Sequence, residues 1–466
     1  MSQLFSYLQQ NQFCILVEYL TSQNEMSLKN MLGQYPTVMT LADRVHADDD
    51  IAPLEASKNY PDIVDKVLHY SGKGRDIQDF KIFLQHAKDA NIQNLLLVTG
   101  DKLKTHHNGH GDFPRTRYLE SVNAVMAAKQ HGGFNIGVAF NPFKYTEAEY
   151  DAQYLKLHKK IKAGADFLIT QLGFDLEKIK QAQKYMLINH PHFPLIACVM
   201  PLTLKRAKFM LKHQVAGITI PEHLLKVLEQ EYRSDPVQAE KNVYARCALQ
   251  ILICQYLGYA GIHLSACYKP SEQEQLEQAL QRYQTLSLAE CEVAWNALWL
   301  AETAEVFQPK ITKFAKKVSK SQLLKYKAMH SVHNIFFDSY FARGVGRFVF
   351  KSSFWNGAKA SQFLLRIEHL SKHSLVGCES CGQCRLDDTL YICPETCPKG
   401  LANGPCGGTT LDRCEFGDRE CIHSIKARLA KAVQQTEQLK SKLIPTVAME
   451  IRQSSSWKNW YLASEA

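Results

Sequence analysis

The chain has 466 residues, a formal net charge of +9, 45% apolar side chains and fourteen cysteines. That length holds two or three domains and at least one large core, and Lys and Arg are spread along most of it, which argues against nucleic acid as a partner. The most apolar window, 249–267, is broken by Gln250, Gln255, Gly258, Gly261 and His263, so no membrane span and no membrane partner are expected.

In chain order, residues 13–17 form a short apolar run ending at Glu18, and 37–41 form a second, followed by Ala42, Asp43 and Arg44. Residues 67–70 are a third strand candidate. Ile77, Phe80, Phe83 and Leu84 then recur at helical spacing within about 76–91. The run 95–98 has four consecutive apolar residues, the mark of a strand buried on both faces of a parallel sheet. It delivers Asp101 through Thr99 and Gly100. A helix near 119–129 precedes the strand 134–139, and a helix over 146–163 ends at Gly164, which suits a left-handed cap. Residues 167–170, 194–199 and 261–264 bring the strand candidates to eight, alternating with helices.

That alternation is what an α/β (β/α)8 TIM barrel requires. A doubly wound open sheet is the alternative, but no G-x-G-x-x-G follows the first strand. The expected division is a barrel at 1–270, a helical connector at 271–371, a small cysteine-rich metal-binding domain at 372–423, and a terminal helix and tail at 424–466. The basic stretches 156–160 and 313–327 read as solvated helix faces. The N-terminus, 1–12, has no basic n-region and does not read as a signal peptide.

Glu18, His69, Asp101 and Gln171 each fall at or near the C-terminal end of a strand candidate, the end at which barrels of this kind carry chemistry. A partly shielded carboxylic acid there can deliver a proton at neutral pH, while a second carboxylate stays ionised. Taken singly, each also reads as an ordinary polar strand end.

Four segments carry a resemblance: LLLVTGD at 95–101, VAFNP at 138–142, GADFLITQLGFD at 164–175 and VMP at 199–201. Over most of residues 10–265 the chain resembles the flavin-dependent methylenetetrahydrofolate reductases. The resemblance implies a barrel that holds FAD across its strand ends and passes hydride from NAD(P)H through flavin to methylenetetrahydrofolate. It makes Glu18 the general acid and Asp101 the charge beside flavin and pterin. Gln171 becomes the catalytic and substrate-binding glutamine, and Thr40, His69, Asp101, Ala139 and Lys160 the FAD contacts. The chain departs from the family where Tyr19, Leu20 and Thr21 follow Glu18, at Thr99 and Asn141 (commonly Arg and Tyr), and in the long loop 102–112 with His106, His107 and His110. That loop reads as a polar segment near phosphate groups, or as a metal-binding triple.

Eight cysteines crowd into the last quarter of the chain: Cys378, Cys381, Cys384, Cys393, Cys397, Cys406, Cys414 and Cys421. Two-residue spacings let one tight turn grip a metal, and eight thiolates suffice for two four-cysteine sites. The Cys-x2-Cys-x2-Cys run and two Cys-Pro pairs lean towards [4Fe–4S] clusters over zinc. Such a cluster favours a cytoplasmic metalloprotein over a disulfide framework. The stretches 377–384 and 404–408 are similar to the cysteine-rich C-terminal domain attached to some bacterial methylenetetrahydrofolate reductases or carried by their partner subunit. A ferredoxin-like donor, a partner subunit and a homo-oligomer are all compatible with this reading. The alternatives are a folate-dependent methyltransferase without flavin and a catalytically silent metal-binding subunit. The other six cysteines sit mostly in apolar runs and read as core.

Overall fold

The structure, a computed structural model, describes residues 2–21, 35–44, 50–61, 64–102, 118–309, 317–417 and 419–463. Eight parallel strands close into a barrel in chain order. They are β1 (Cys14–Leu20), β2 (Thr37–Ala42), β3 (Lys66–Ser71), β4 (Asn94–Val98), β5 (Asn135–Phe140), β6 (Phe167–Thr170), β7 (Leu195–Val199) and β8 (Gly261–Leu264). β3, β6, β7 and β8 are buried along their whole length, because helices outside and side chains inside cover both faces. The first strand runs past its expected end: Glu18 lies within β1 in register with Thr40, and Tyr19 beyond it is fully buried.

The helices in chain order begin with α1 (Gln3–Gln9), α2 (Pro53–Ser57), α3 (Ile77–Asp89), α4 (Ser121–His131) and α5 (Glu147–Ala163). Asp76 caps α3 and Thr146 caps α5, each in a reciprocal capping box that satisfies free N–H groups at the helix start. Helix α1 closes the N-terminal end of the barrel. Leu4 is fully buried there, and Ser2 Oγ donates to Asn94 Oδ1 at 2.7 Å. The opposite end, with the strand C-termini, is left for chemistry.

Next come α6 (Leu176–Asn189), α7 (Leu204–His213), α8 (Glu222–Ser234) and α9 (Pro236–Tyr256), then α10 (Pro270–Tyr283) and α11 (Leu288–Leu298). Both α10 and α11 lie against α9 and share the barrel's core, with Trp295 and Trp299 buried beneath them. Arg246 of α9 sits over the Trp299 ring at 4.0 Å, pairs with Glu231 at 2.5 Å and bonds the Leu298 carbonyl. Trp295→Ala should therefore lower stability by about 3–5 kcal/mol, the range for an emptied aromatic core site. The urea midpoint measures it, and a shift equivalent to less than about 1 kcal/mol would place Trp295 outside the core.

The rest of the chain forms α12 (Lys320–His333), α13 (Tyr340–Phe350), α14 (Ala358–Val376), α15 (Ile422–Ala432), α16 (Thr436–Ser441) and α17 (Ser456–Ala463). The cysteine-bearing segment between α14 and α15 is built of turns and short 3-10 pieces. The terminal helix expected within 424–466 begins as two helices, because Gln434 takes a positive φ of 57° and ends the first. Its inner face is far from polar: Ile422, Ala427, Leu429 and Ala430 are buried. Helices α15 and α16 both lie along α5, so the C-terminal segment is laid onto the barrel. No helix among the described residues is long and apolar enough to cross a membrane.

Candidate active site

Because all eight strands run the same way, Glu18 on β1 and Asp101, just after β4, face the same rim. Glu18 is half-buried, and one donor atom each of Glu18, His69 and His263 lie within 4.8 Å of one another. The two imidazole rings are 5.7 Å apart. Burial, reinforced by the charge of His263, holds the His69 pKa down to about 3. Burial also lowers His263, with Glu18 opposing. Both rings are therefore neutral at pH 7 and stand beside the carboxyl group without charge.

His263 is anchored from both sides. Its Nε2 is 3.1 Å from Thr40 Oγ1, and its Nδ1 is 3.4 Å from Ser265 Oγ and 3.7 Å from Cys198 Sγ. Thr40 also donates to the Val17 carbonyl at 3.4 Å. His69 Nε2, in contrast, is buried without a hydrogen-bond partner. A buried polar atom left open costs stability unless something completes it, so it marks a place for a bound group. Sequence reasoning passed over His263; its one signal was a titratable residue inside the otherwise apolar run 261–264.

Asp101 keeps an exposed surface, yet its carboxyl pKa is raised by loss of surrounding solvent and by Glu415, with Lys399 and Lys73 opposing. Gln171 follows β6; its Nε2 donates to the Ala216 carbonyl at 3.2 Å, and its Oε1 accepts from Leu172 N at 2.9 Å. Lys160 is directed at the Ala139 carbonyl beneath α5, so these two residues hold each other. Burial lowers the Lys160 pKa to about 7, with Lys156 adding to the shift and Glu120 opposing. His106, His107 and His110 lie outside the described residues.

The cysteine-bearing segment forms one wall of this rim. Asn141 Nδ2 donates to the Gly217 and Gly407 carbonyls at 3.0 and 2.8 Å. Lys144 reaches the Gly407 and Thr409 carbonyls, and Gln153 reaches the Cys406 carbonyl at 2.8 Å. The approach is so close that a Cβ on Gly217, which has φ +74°, would stand 2.3 Å from the Gly407 oxygen. Lys399 donates to the Gly100 carbonyl at 2.7 Å and pairs with Glu415 at 2.5 Å, and Glu415 also accepts from Lys102 N and from Cys406 Sγ. A chain of polar contacts thus leads from the backbone beside Asp101 to a cysteine.

The eight thiols divide by position. Cys378, Cys381, Cys384 and Cys393 line one small cavity together with Lys372, and the charges of Cys378, Cys381 and Cys384 bear on one another. Cys397, Cys406, Cys414 and Cys421 form a second set, in which Cys414 feels the other three.

Comparison with known proteins agrees with this architecture. A family model described as "Methylenetetrahydrofolate reductase" matches residues 42–282, and one described as "Methylene-tetrahydrofolate reductase C terminal" matches 358–450. Methylenetetrahydrofolate reductase 2 of Saccharomyces cerevisiae is 27% identical over 185 residues, covering 38% of this chain and 29% of that protein. Methylenetetrahydrofolate reductase 1 of Schizosaccharomyces pombe is 27% identical over 214 residues, covering 43% and 32%. The chain thus spans about a third or less of the length of these relatives. A structure of an uncharacterized protein from Clostridium thermocellum, which binds two copies of 5-methyl-5,6,7,8-tetrahydrofolic acid, superposes with a TM-score of 0.42 at 15% identity, covering 60% of this chain and 99% of that one. With one family model matching the barrel from the end of β2 onward and another matching the cysteine-bearing segment, the chain belongs to the methylenetetrahydrofolate reductase family.

Proposed function

We propose that this chain reduces 5,10-methylenetetrahydrofolate to 5-methyltetrahydrofolate with a bound flavin, FAD by the family resemblance. The observation that carries this reading is the rim geometry: Glu18 beside two neutral imidazoles, with Asp101 on the same rim. Flavin, when bound, supplies the hydride and is itself reduced by NAD(P)H or a ferredoxin-like donor. His69 fits such a group through its open buried nitrogen, and Asp101 would set the charge beside it. Glu18 gives a proton to the bridge nitrogen as the folate ring opens, so that nitrogen leaves as an amine instead of an anion. Gln171 would orient the folate by exchanging its bond to Ala216 for one to substrate. Thr40 acts through His263, and the Lys160 to Ala139 contact keeps the outer rim in shape.

The two thiol quartets would each hold a metal centre, and the Cys-x2-Cys-x2-Cys run with two Cys-Pro pairs leans towards iron–sulfur clusters over zinc. The second quartet, reached from Asp101 through Lys399 and Glu415, stands where an electron entering from a ferredoxin-like donor would pass to the rim.

The purified full chain should show flavin absorbance, contain iron with inorganic sulfide, and turn over methylenetetrahydrofolate with a reductant. Folate binding without flavin or turnover would instead support a methyltransferase or a silent subunit. Cys384→Ser should remove about half of the bound metal and Cys414→Ser the other half, each sparing the other quartet. Loss of all metal from either change would overturn the division into quartets.

A further inference from the structure

Residues 317–376 contain ten Lys and Arg but only two acids, so this short segment holds eight of the chain's nine net positive charges. Neither acid faces an open surface alone: Glu368 is buried among Lys372, Ser455 and Ser456, and Asp338 pairs with Arg343 at 2.9 Å.

The same segment exposes rows of large apolar side chains. On α13, Phe341, Val345 and Phe348 recur at i, i+4 and i+7, and Phe341 and Phe348 are 80% and 84% exposed. Arg343, Arg347 and Lys351 recur on another side of that helix, with Arg343 paired to Asp338. The side that carries Arg343 is fixed to the body: Gly346 is so close to Tyr461 of α17 that a Cβ would meet the ring at 2.4 Å, and Phe350 stacks on Tyr461 at 5.6 Å. On α14 the pattern repeats, with Phe363, Ile367 and Leu370 exposed at i, i+4 and i+7 beside Lys359 and Arg366. Phe354, between the two helices, is exposed as well.

Exposed apolar rows on this scale mark a contact surface. The charge beside them selects an anionic occupant, and rows of phenylalanine and aliphatic side chains suit hydrocarbon better than the sugar–phosphate surface of a nucleic acid. We propose that the outer face of α13 and α14 docks on the surface of an anionic phospholipid bilayer, the apolar rows entering the headgroup layer and Lys359 and Arg366 meeting lipid phosphates. Hydropathy in the sequence excludes a span but is blind to such a surface, whose apolar residues are interleaved with charges. This inference is independent of the reductase reading.

The test is co-sedimentation of the full chain with vesicles of phosphatidylcholine alone or mixed with phosphatidylglycerol. Binding should favour the mixed vesicles by at least about tenfold and weaken with added salt. Phe341→Ser with Phe348→Ser should reduce it by about tenfold or more, as should the α14 pair Phe363→Ser with Leu370→Ser. Lys359→Glu with Arg366→Glu should abolish the preference for anionic vesicles, and circular dichroism checks that each variant folds. Equal binding to both vesicle types, or binding indifferent to every variant that folds, overturns the proposal. So does a dimer in size-exclusion chromatography that the phenylalanine variants break while vesicles bind nothing, or retention of duplex DNA in place of vesicles.

Discussion

Glu18→Gln should lower the reduction of methylenetetrahydrofolate by about 10²–10⁴-fold, the range for losing a general acid, while bound flavin and its reduction by the donor stay near normal. Glutamine has nearly the shape of glutamate and keeps a polar group beside His69 and His263, so the site should keep its form. What it cannot do is release a proton to the opening folate bridge. Neither imidazole can take over at pH 7, because burial holds His69 near a pKa of about 3 and lowers His263 as well. Rapid-mixing measurement of the two half-reactions separates the cases. A selective loss in the folate half-reaction supports the acid role, whereas an equal fall in both would make Glu18 a strut of the flavin site.

The barrel was legible because its strands are runs of apolar residues punctuated by polar ends, and burial on both faces forces that pattern. Glu18 and Asp101 could be placed on one rim as soon as the strands were read as parallel. His263 could not be found this way, since one histidine in β8 says nothing about its register with Cys198 and Leu16. The division of the thiols was equally hidden: the close run Cys378, Cys381 and Cys384 leaves open which later cysteine completes it, and only the fold brings Cys393 to them. Docking of the cysteine segment on the rim joins residues about 280 positions apart, such as Glu120 and Asn403, and no local pattern marks such pairs. Glu120 itself read as an unremarked residue within the helix expected near 119–129.

That residue gives the second large effect. Glu120 is buried at the start of α4, pairs with Lys156 Nζ at 2.9 Å, and accepts from Ala402 N, Asn403 N and Asn403 Nδ2 at 3.0 to 3.2 Å. Lys156 also reaches the Gly404 carbonyl at 3.2 Å, so this one buried pair fastens the turn that leads to Cys406. Burial pushes the carboxyl pKa up, but Lys156 and the N–H groups of Asn403 and Ala402 outweigh it, leaving the pKa below its ordinary value. A carboxyl group depressed on folding adds stability in full above its unfolded pKa of about 4.5, and that stability is lost as pH falls through the folded value.

Glu120→Gln should therefore destabilise the chain by about 3–5 kcal/mol at pH 7, because Lys156 is left buried with no carboxylate. The difference between the two proteins should shrink as pH falls from about 4.5 through the folded value, where the native carboxyl is itself protonated. Any metal released by acid is lost from both proteins, so their difference still isolates Glu120. Urea midpoints measured between pH 7 and acid give the curve, and Glu120→Gln combined with Lys156→Met should regain part of the loss by removing the stranded cation. A gap that stays constant into acid would mean that the amide fails by shape and not by charge. If the gap closes as expected, the rim wall beside the second thiol quartet is held by one ionised carboxylate, and metal content at that quartet should fall over the same range in which the pair is lost.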